Sequence, residues 1–215
     1  MPDGLASASG IGDSSAPAVS ADSVYVTYPC QTYSFRPITG ESIWHDNTGC
    51  SGGGGGTPVV ANGVLYSPNG TGGSYSGSTF NAATGALLGS YVADNPPAID
   101  TQNGYFLQSK TLRGISLASN AALWSFTGDG LLVTSPIVVN SGANSYVFVG
   151  SSSGNLYAVD ATTGSQLWTV NVGAAIPSGS GWGARMQISA LSAGNGLLVV
   201  PAGNTLTAYT LSAAP

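Results

Sequence analysis

Short apolar runs of roughly four to six residues recur along the whole chain, separated by Gly, Asn, Ser and Asp. Some alternate apolar with polar positions and others are continuously apolar, and both patterns at this length predict β-strands. The best-preserved stretch is residues 146–168, YVFVGSSSGNLYAVDATTGSQLW. It predicts a strand, a Gly-containing turn, a second strand ending at Ala158-Val159-Asp160, a turn at Thr163-Gly164, and a further strand bearing Trp168.

Weaker copies of this pattern can be laid beneath it. The first has Val24-Tyr25-Val26, Tyr33-Ser34-Phe35, Gly40 and Trp44; the second has Val64-Leu65-Tyr66, Ser78-Thr79-Phe80 and Gly85, with Gly89 where Trp is expected. The third has Tyr105-Phe106-Leu107, Gly114-Ile115-Ser116, Asn120 and Trp124; a fifth runs through Leu197-Leu198-Val199-Val200 to Leu206-Thr207-Ala208-Tyr209-Thr210. Units fall at about 15–50, 57–94, 96–129, 135–173 and 187–211, a period of about 40 residues. Asp22-Ser23, Asn62-Gly63, Asn103-Gly104, Asn144-Ser145 and Asn195-Gly196 are expected hairpin turns between each first and second strand, since Asn-Gly tolerates the left-handed backbone of such turns. Gly40, Gly85, Asn120 and Gly164 share one place before each fourth strand, where a positive φ suits Gly and, next best, Asn. Four antiparallel strands per unit at this period predict an all-β fold, a β-propeller of about five blade repeats spanning residues 1–215 as one domain.

The spacing Ala158-x-Asp160-x₃-Gly164-x₃-Trp168 resembles the tryptophan-docking repeat of the pyrroloquinoline quinone (PQQ)-like propellers. That family includes quinoprotein alcohol dehydrogenases and the assembly lipoprotein BamB. The resemblance implies that Trp168, Trp44 and Trp124 stack between neighbouring blades and that Ala158, Asp160 and Gly164 are docking residues. Copy one carries Ser34 and Arg36 at the Ala and Asp places, and copy three Gly114 and Ser116. Family propellers have seven or eight blades, so the resemblance also implies that these five units are part of a larger ring that has lost N-terminal blades. Closure of a five-bladed ring by residues 5–11 is the alternative. For the family's cofactor, the resemblance would require an aspartate base, a calcium-ligating glutamate and two adjacent cysteines. The chain has one glutamate, Glu41, and no adjacent cysteines. No cofactor is expected of this chain, and PQQ and calcium are expected only of a fuller-length parent.

Composition narrows the function further. Charged residues make up 6% of the chain, and the only cations are Arg36, Lys110, Arg113 and Arg185, against a net charge of −5. Such a chain cannot assemble the basic face that nucleic acid binding requires. With 42% hydrophobic residues and a mean hydropathy of +0.19, it is not disordered either. No apolar run approaches the roughly 20 residues of a membrane span. Cys30 and Cys50, both beside turns, read as one disulfide that would contribute about 3 kcal/mol, with two unrelated buried thiols as the other reading. Together with a Ser/Thr/Gly/Asn-rich, lysine-poor composition, the bridge favours an extracytoplasmic location, periplasmic, cell-surface or secreted.

No catalytic constellation and no metal site is expected. The single histidine, His45, follows Trp44 at a strand end and has no nucleophile assigned to it. Asp94-Asn95 and residues 100–104 (DTQNG) share the acidic and amide composition of calcium loops, but the second reads more economically as a turn. Asn69-Gly70-Thr71 has the form of a glycosylation sequon and reads as a hairpin loop. Tyr25, Tyr66, Phe106, Phe148 and Tyr157 are expected to fall at matching strand positions as blade packing. The insertion at residues 174–186 (AAIPSGSGWGARM) lies outside the repeat, and Trp182 and Arg185 are its candidate binding residues. The leading expectation is a non-catalytic scaffold that binds a protein or cell-surface ligand. The alternatives are a C-terminal fragment of a PQQ-dependent quinoprotein dehydrogenase with its catalytic residues upstream, and a carbohydrate-binding propeller using Trp182.

Overall fold

The computed structural model describes residues 16–28, 30–47, 56–69, 76–178 and 191–210. Among these the chain is all-β, with strands in five antiparallel sheets that follow one another in sequence. The first sheet is β1 (Ala18–Val19), β2 (Val24–Tyr28), β3 (Gln31–Phe35) and β4 (Ser42–Asn47). The second is β5 (Val59–Ala61), β6 (Val64–Ser67), β7 (Ser76–Asn81) and β8 (Leu87–Val92). The third is β9 (Ala98–Ile99), β10 (Asn103–Gln108), β11 (Thr111–Ser116) and β12 (Ala122–Phe126). The fourth is β13 (Ile137–Ser141), β14 (Asn144–Gly150), β15 (Asn155–Asp160) and β16 (Gln166–Asn171). The fifth has three strands, β17 (Ser192–Gly194), β18 (Leu197–Ala202) and β19 (Thr205–Thr210). Each is a meander in which consecutive strands pair, the arrangement of a propeller blade.

The described residues divide into two compact units, one up to Pro96 with the first two blades and one from Pro97 onwards with the other three. In the first unit, β1 lies beside β5, and the core between blades is Tyr25, Leu65, Phe80 and Ala82 with Trp44 against it. In the second, β13 lies beside both β9 and β17. One core there joins the third and fourth blades through Tyr105, Leu107, Leu112, Val147, Val149, Tyr157 and Val159. Another joins the fourth and fifth through Phe148, Leu156, Ala158, Ile176, Leu198 and Val200. Each apolar run thus buries side chains against the neighbouring sheet, which is why the runs are short and repeat by blade.

The repeat is visible in register. A bulge interrupts the pairing of the third and fourth strands at Ser34/Phe35, Thr79/Phe80, Gly114/Ile115 and Ala158/Val159. Just before it, Ser34 faces Trp44, Thr79 faces Gly89, Gly114 faces Trp124 and Ala158 faces Trp168, as the alignment of the copies expects. Ser34 is fully buried with its Oγ unpartnered, a polar atom where the fourth blade has the methyl of Ala158.

Some expected turns lie elsewhere. Asn62-Gly63 and Asn195-Gly196 are left-handed hairpin turns, with φ of 51° and 74° in both pairs. Asn103-Gly104 instead belongs to β10, because Asp100 makes the turn: its Oδ1 accepts from the backbone N–H of Gln102 and Asn103, each at 2.7 Å. Asn144 likewise begins β14, and Gly142 at φ 59° turns the chain before it. The second-strand aromatics also need one correction. Tyr25, Tyr66 and Phe148 hold equivalent places, opposite Ser34, Thr79 and Ala158, but the third blade puts Tyr105 there, opposite Gly114. Phe106 lies one position along, and Tyr157 belongs to the third strand of its blade.

Candidate functional site

The residues singled out by the repeat meet at the turn between the third and fourth strands. In every four-stranded blade this turn closes identically. Gly40 N–H donates to the Arg36 carbonyl, Gly85 to Asn81, Asn120 to Ser116 and Gly164 to Asp160, at 2.8–2.9 Å, with φ of 68°, 73°, 55° and 74° at the donors. In the fourth blade Asp160 Oδ1 also accepts from the N–H groups of Thr162 (2.9 Å) and Thr163 (2.8 Å). The Thr163 hydrogen bond, with that of Thr162, holds the Asp160 carboxyl below the usual carboxylate range. In the second blade Asn81 Oδ1 makes the same pair of bonds, to Ala83 and Thr84. Arg36, at the matching place in the first blade, pairs with Glu41 at 3.2 Å across an exposed turn.

This turn receives the tryptophan of the preceding blade. Trp124 Nε1–H donates to the Ala161 carbonyl at 3.0 Å, and Trp44 Nε1–H donates to the Ala82 carbonyl, also at 3.0 Å. The rings lie on the turn glycines so closely that a Cβ on Gly164 would come within 2.7 Å of Trp124, and one on Gly85 within 2.6 Å of Trp44. On its other side Trp124 covers Gly114 of its own blade, where a Cβ would approach to 2.4 Å. A tyrosine reinforces each contact. Tyr25 Oη–H donates to the Ala82 carbonyl at 3.1 Å, and Tyr105 Oη–H donates to Asp100 Oδ2 at 2.7 Å while lying 3.5 Å from the Ala161 carbonyl. Burial first, then the Asp100 carboxylate, pushes the Tyr105 phenol well above its ordinary value. Asp160 and Gly164 therefore shape a socket, and the Trp it holds is Trp124 rather than Trp168 of the same blade. Trp168 is half-exposed and packs edge-on against Tyr209, with ring centroids 5.4 Å apart.

A second polar cluster was not legible as a unit in the sequence. Asp129 Oδ2 accepts hydrogen bonds from Ser151 Oγ (2.9 Å), Ser153 Oγ and Asn155 Nδ2 (2.9 Å), and its Oδ1 accepts from Leu131 N–H at 3.0 Å. Asn171 Nδ2 extends the network to Asn155 Oδ1 at 2.9 Å. Partial burial pushes the Asp129 carboxyl up, but the Ser153, Asn155, Ser151 and Leu131 donors outweigh it and bring it to about 2. The network ties the segment entering the fourth blade to that blade's own second hairpin. The polar run at residues 151–155 (SSSGN) facing a Gly-Asp-Gly turn was its only signal.

The remaining candidates have local partners or lie outside the described residues. His45 is exposed, stacks on Tyr33 at 4.2 Å and reaches Gln31 Oε1 at 3.2 Å. Asn69 of the sequon is buried, and its Oδ1 accepts from Ser78 N–H at 3.0 Å. Cys30 is buried at φ 59°, whereas Cys50, Trp182 and Arg185 lie outside the described residues. Among the described residues, no three His, Cys, Asp or Glu side chains are grouped to hold a metal ion, and no helix is long and apolar enough to cross a membrane.

Residues 108–213 match a family model described as outer membrane protein assembly factor BamB. Over these residues the chain is similar to the PQQ-like β-propeller repeats. Among solved structures, BamB from Moraxella catarrhalis is 16% identical with a TM-score of 0.69, over 93% of this chain and 58% of that one. The quinohemoprotein alcohol dehydrogenase ADHIIG from Pseudomonas putida HK5 is 15% identical with a TM-score of 0.64, over 86% of this chain and 42% of that one. The computationally designed Ika4 protein is 15% identical with a TM-score of 0.52, over 72% of this chain and 89% of that one. No curated protein sequence matches the chain. At these identities the structural likenesses show the fold alone. The chain spans well under two thirds of both natural propellers.

Two expectations follow from the sockets. Gly85→Ala and Gly164→Ala should each destabilise the protein markedly more than Gly40→Ala. All three turns have a positive φ, but only Gly40 has open space around its added methyl. Trp124→Ala should cost about 3 kcal/mol, and denaturant titrations of the four variants would read these differences. The pH dependence has a definite sign. Because the folded-state carboxyl of Asp129 lies below its ordinary value, its stabilisation is present above about pH 4 and is lost as the pH falls towards 2. The gap in melting temperature between the wild type and Asp129→Asn should therefore close over that interval.

Proposed function

We propose that the chain is a non-catalytic PQQ-like propeller segment that serves as an extracytoplasmic scaffold for protein or surface interactions. The observation that carries this reading is where the repeat spends its chemistry. The indole N–H groups of Trp44 and Trp124, the hydroxyl of Tyr25 and the carboxylate of Asp160 all make hydrogen bonds that hold turns or neighbouring blades. Asp129, the most perturbed carboxylate among the described residues, is held ionised by four donors and is a poor proton acceptor at neutral pH. The match to a family described as an outer membrane assembly factor supports a role in which the rigid sheet array presents surfaces. On this reading the five blades belong to a larger propeller, consistent with the fraction of BamB that the chain spans.

The likeness to a quinohemoprotein alcohol dehydrogenase favours a second reading, in which a fuller-length parent is an oxidoreductase. The two separate in a dye-linked assay of the fuller-length parent with PQQ, calcium and primary alcohols. The scaffold reading expects rates no higher than those without protein, and saturable turnover would overturn it.

The Cys30–Cys50 bridge remains part of this proposal, supported by the complete burial of Cys30 beside the β2–β3 turn. Protein prepared under oxidising conditions should take up no alkylating reagent in denaturant until it is reduced, and should then gain two adducts by mass. Alkylation before reduction would exclude the bridge.

A further inference from the structure

Each docked tryptophan lies inside one compact unit. Trp44 meets the turn of Gly85 within the first unit, and Trp124 meets the turn of Gly164 within the second. The buried apolar clusters among the described residues divide the same way. Tyr25, Leu65, Phe80 and Ala82 belong to the first unit, and the clusters around Tyr157 and Leu198 belong to the second.

On either side of the border at Pro96-Pro97, both halves of the docking pattern are replaced. The fourth strand of the second blade, β8, has Gly89 at the tryptophan's place, opposite Thr79. The turn of the third blade has Asn120 at the glycine's place, with φ 55°. Asn120 therefore carries the Cβ that the docked geometry excludes. On Gly85 that atom would lie 2.6 Å from Trp44, and on Gly164 it would lie 2.7 Å from Trp124. The ring that β8 does carry, Tyr91, packs on its own blade. It lies edge-on to Tyr66 at 5.6 Å between centroids, and a Cβ on Gly77 would come within 2.5 Å of it.

In an array of repeats, stability is close to a sum of each repeat's own stability and its nearest-neighbour contacts. Where one neighbour contact is weak, the array divides into parts that open separately. We infer that this chain is two cooperative units, blades one and two and blades three to five, and that Gly89 and Asn120 set the seam. One unit opens while the other stays folded. The seam is interior to the chain, so further blades beyond either end leave it in place. The inference is independent of the proposed function.

Hydrogen exchange of the full chain across a urea series, read by mass on peptic peptides, follows the blades individually. Peptides from β2, β3, β6 and β7 should share one unfolding midpoint, and those from β10, β11, β14 and β15 another. Trp44→Phe should lower the first midpoint alone and Trp124→Phe the second alone, each by about 0.5 M urea or more. Phenylalanine keeps a ring at each site, so both variants remain folded without urea. The double variant Gly89→Trp/Asn120→Gly supplies the missing ring and removes the Cβ, and should draw the two midpoints together. A single midpoint that either Trp substitution moves for all eight strands would overturn the inference. Two midpoints that the double variant leaves apart would overturn it as well, because the seam would then lie in other residues.

Discussion

One contact joins blade to blade in both units: an indole ring laid flat on a glycine of the next blade, with its N–H on a backbone carbonyl. The carbonyls of Ala82 and Ala161 each take that N–H at 3.0 Å. Both carbonyls project from tight turns, where the indole N–H and a tyrosine hydroxyl, Tyr25 at Ala82 and Tyr105 at Ala161, stand in for a ladder partner. The glycine opposite must adopt a positive φ and must also lack a side chain, and these two demands coincide at Gly85 and Gly164. Side chains at the base of the turn, Asp160 and Asn81, hold the backbone in the shape that offers the carbonyl.

The apolar contribution to docking follows from this geometry. With the ring fixed, Tyr25 lies 6.1 Å from Trp44 and Tyr105 lies 5.8 Å from Trp124, centroid to centroid, and the cores between the sheets close behind them. The second and third blades each depart from the pattern. Gly89 removes the ring from the second blade's fourth strand, and Asn120 replaces glycine in the third blade's turn. Polar networks such as that of Asp129 then fasten entering segments to blades already formed, and are less tied to the repeat because they join loops of variable length.

The chemistry that first invites a functional reading is therefore largely architectural. A lowered aspartate, a raised tyrosine and paired aromatics can mark an active site, yet here each shift has a structural donor or acceptor among its causes.

The chain's own order of residues determined the blades. Period-two apolar runs, a Gly or Asn at each third turn and a Trp at fixed spacing are local properties, set by φ preferences and strand geometry, and the structure reproduces their register down to the bulges at Ser34 and Ala158. The partner of each docking residue was decided only in three dimensions. That Trp124 serves the turn of Asp160, that a bare carbonyl at Ala161 is its acceptor, and that Asp129 gathers Ser151, Ser153 and Asn155 all depend on which sheet packs beside which. Backbone acceptors carry no residue identity, and contacts of this kind join residues 22 to 57 positions apart, so no local pattern records them.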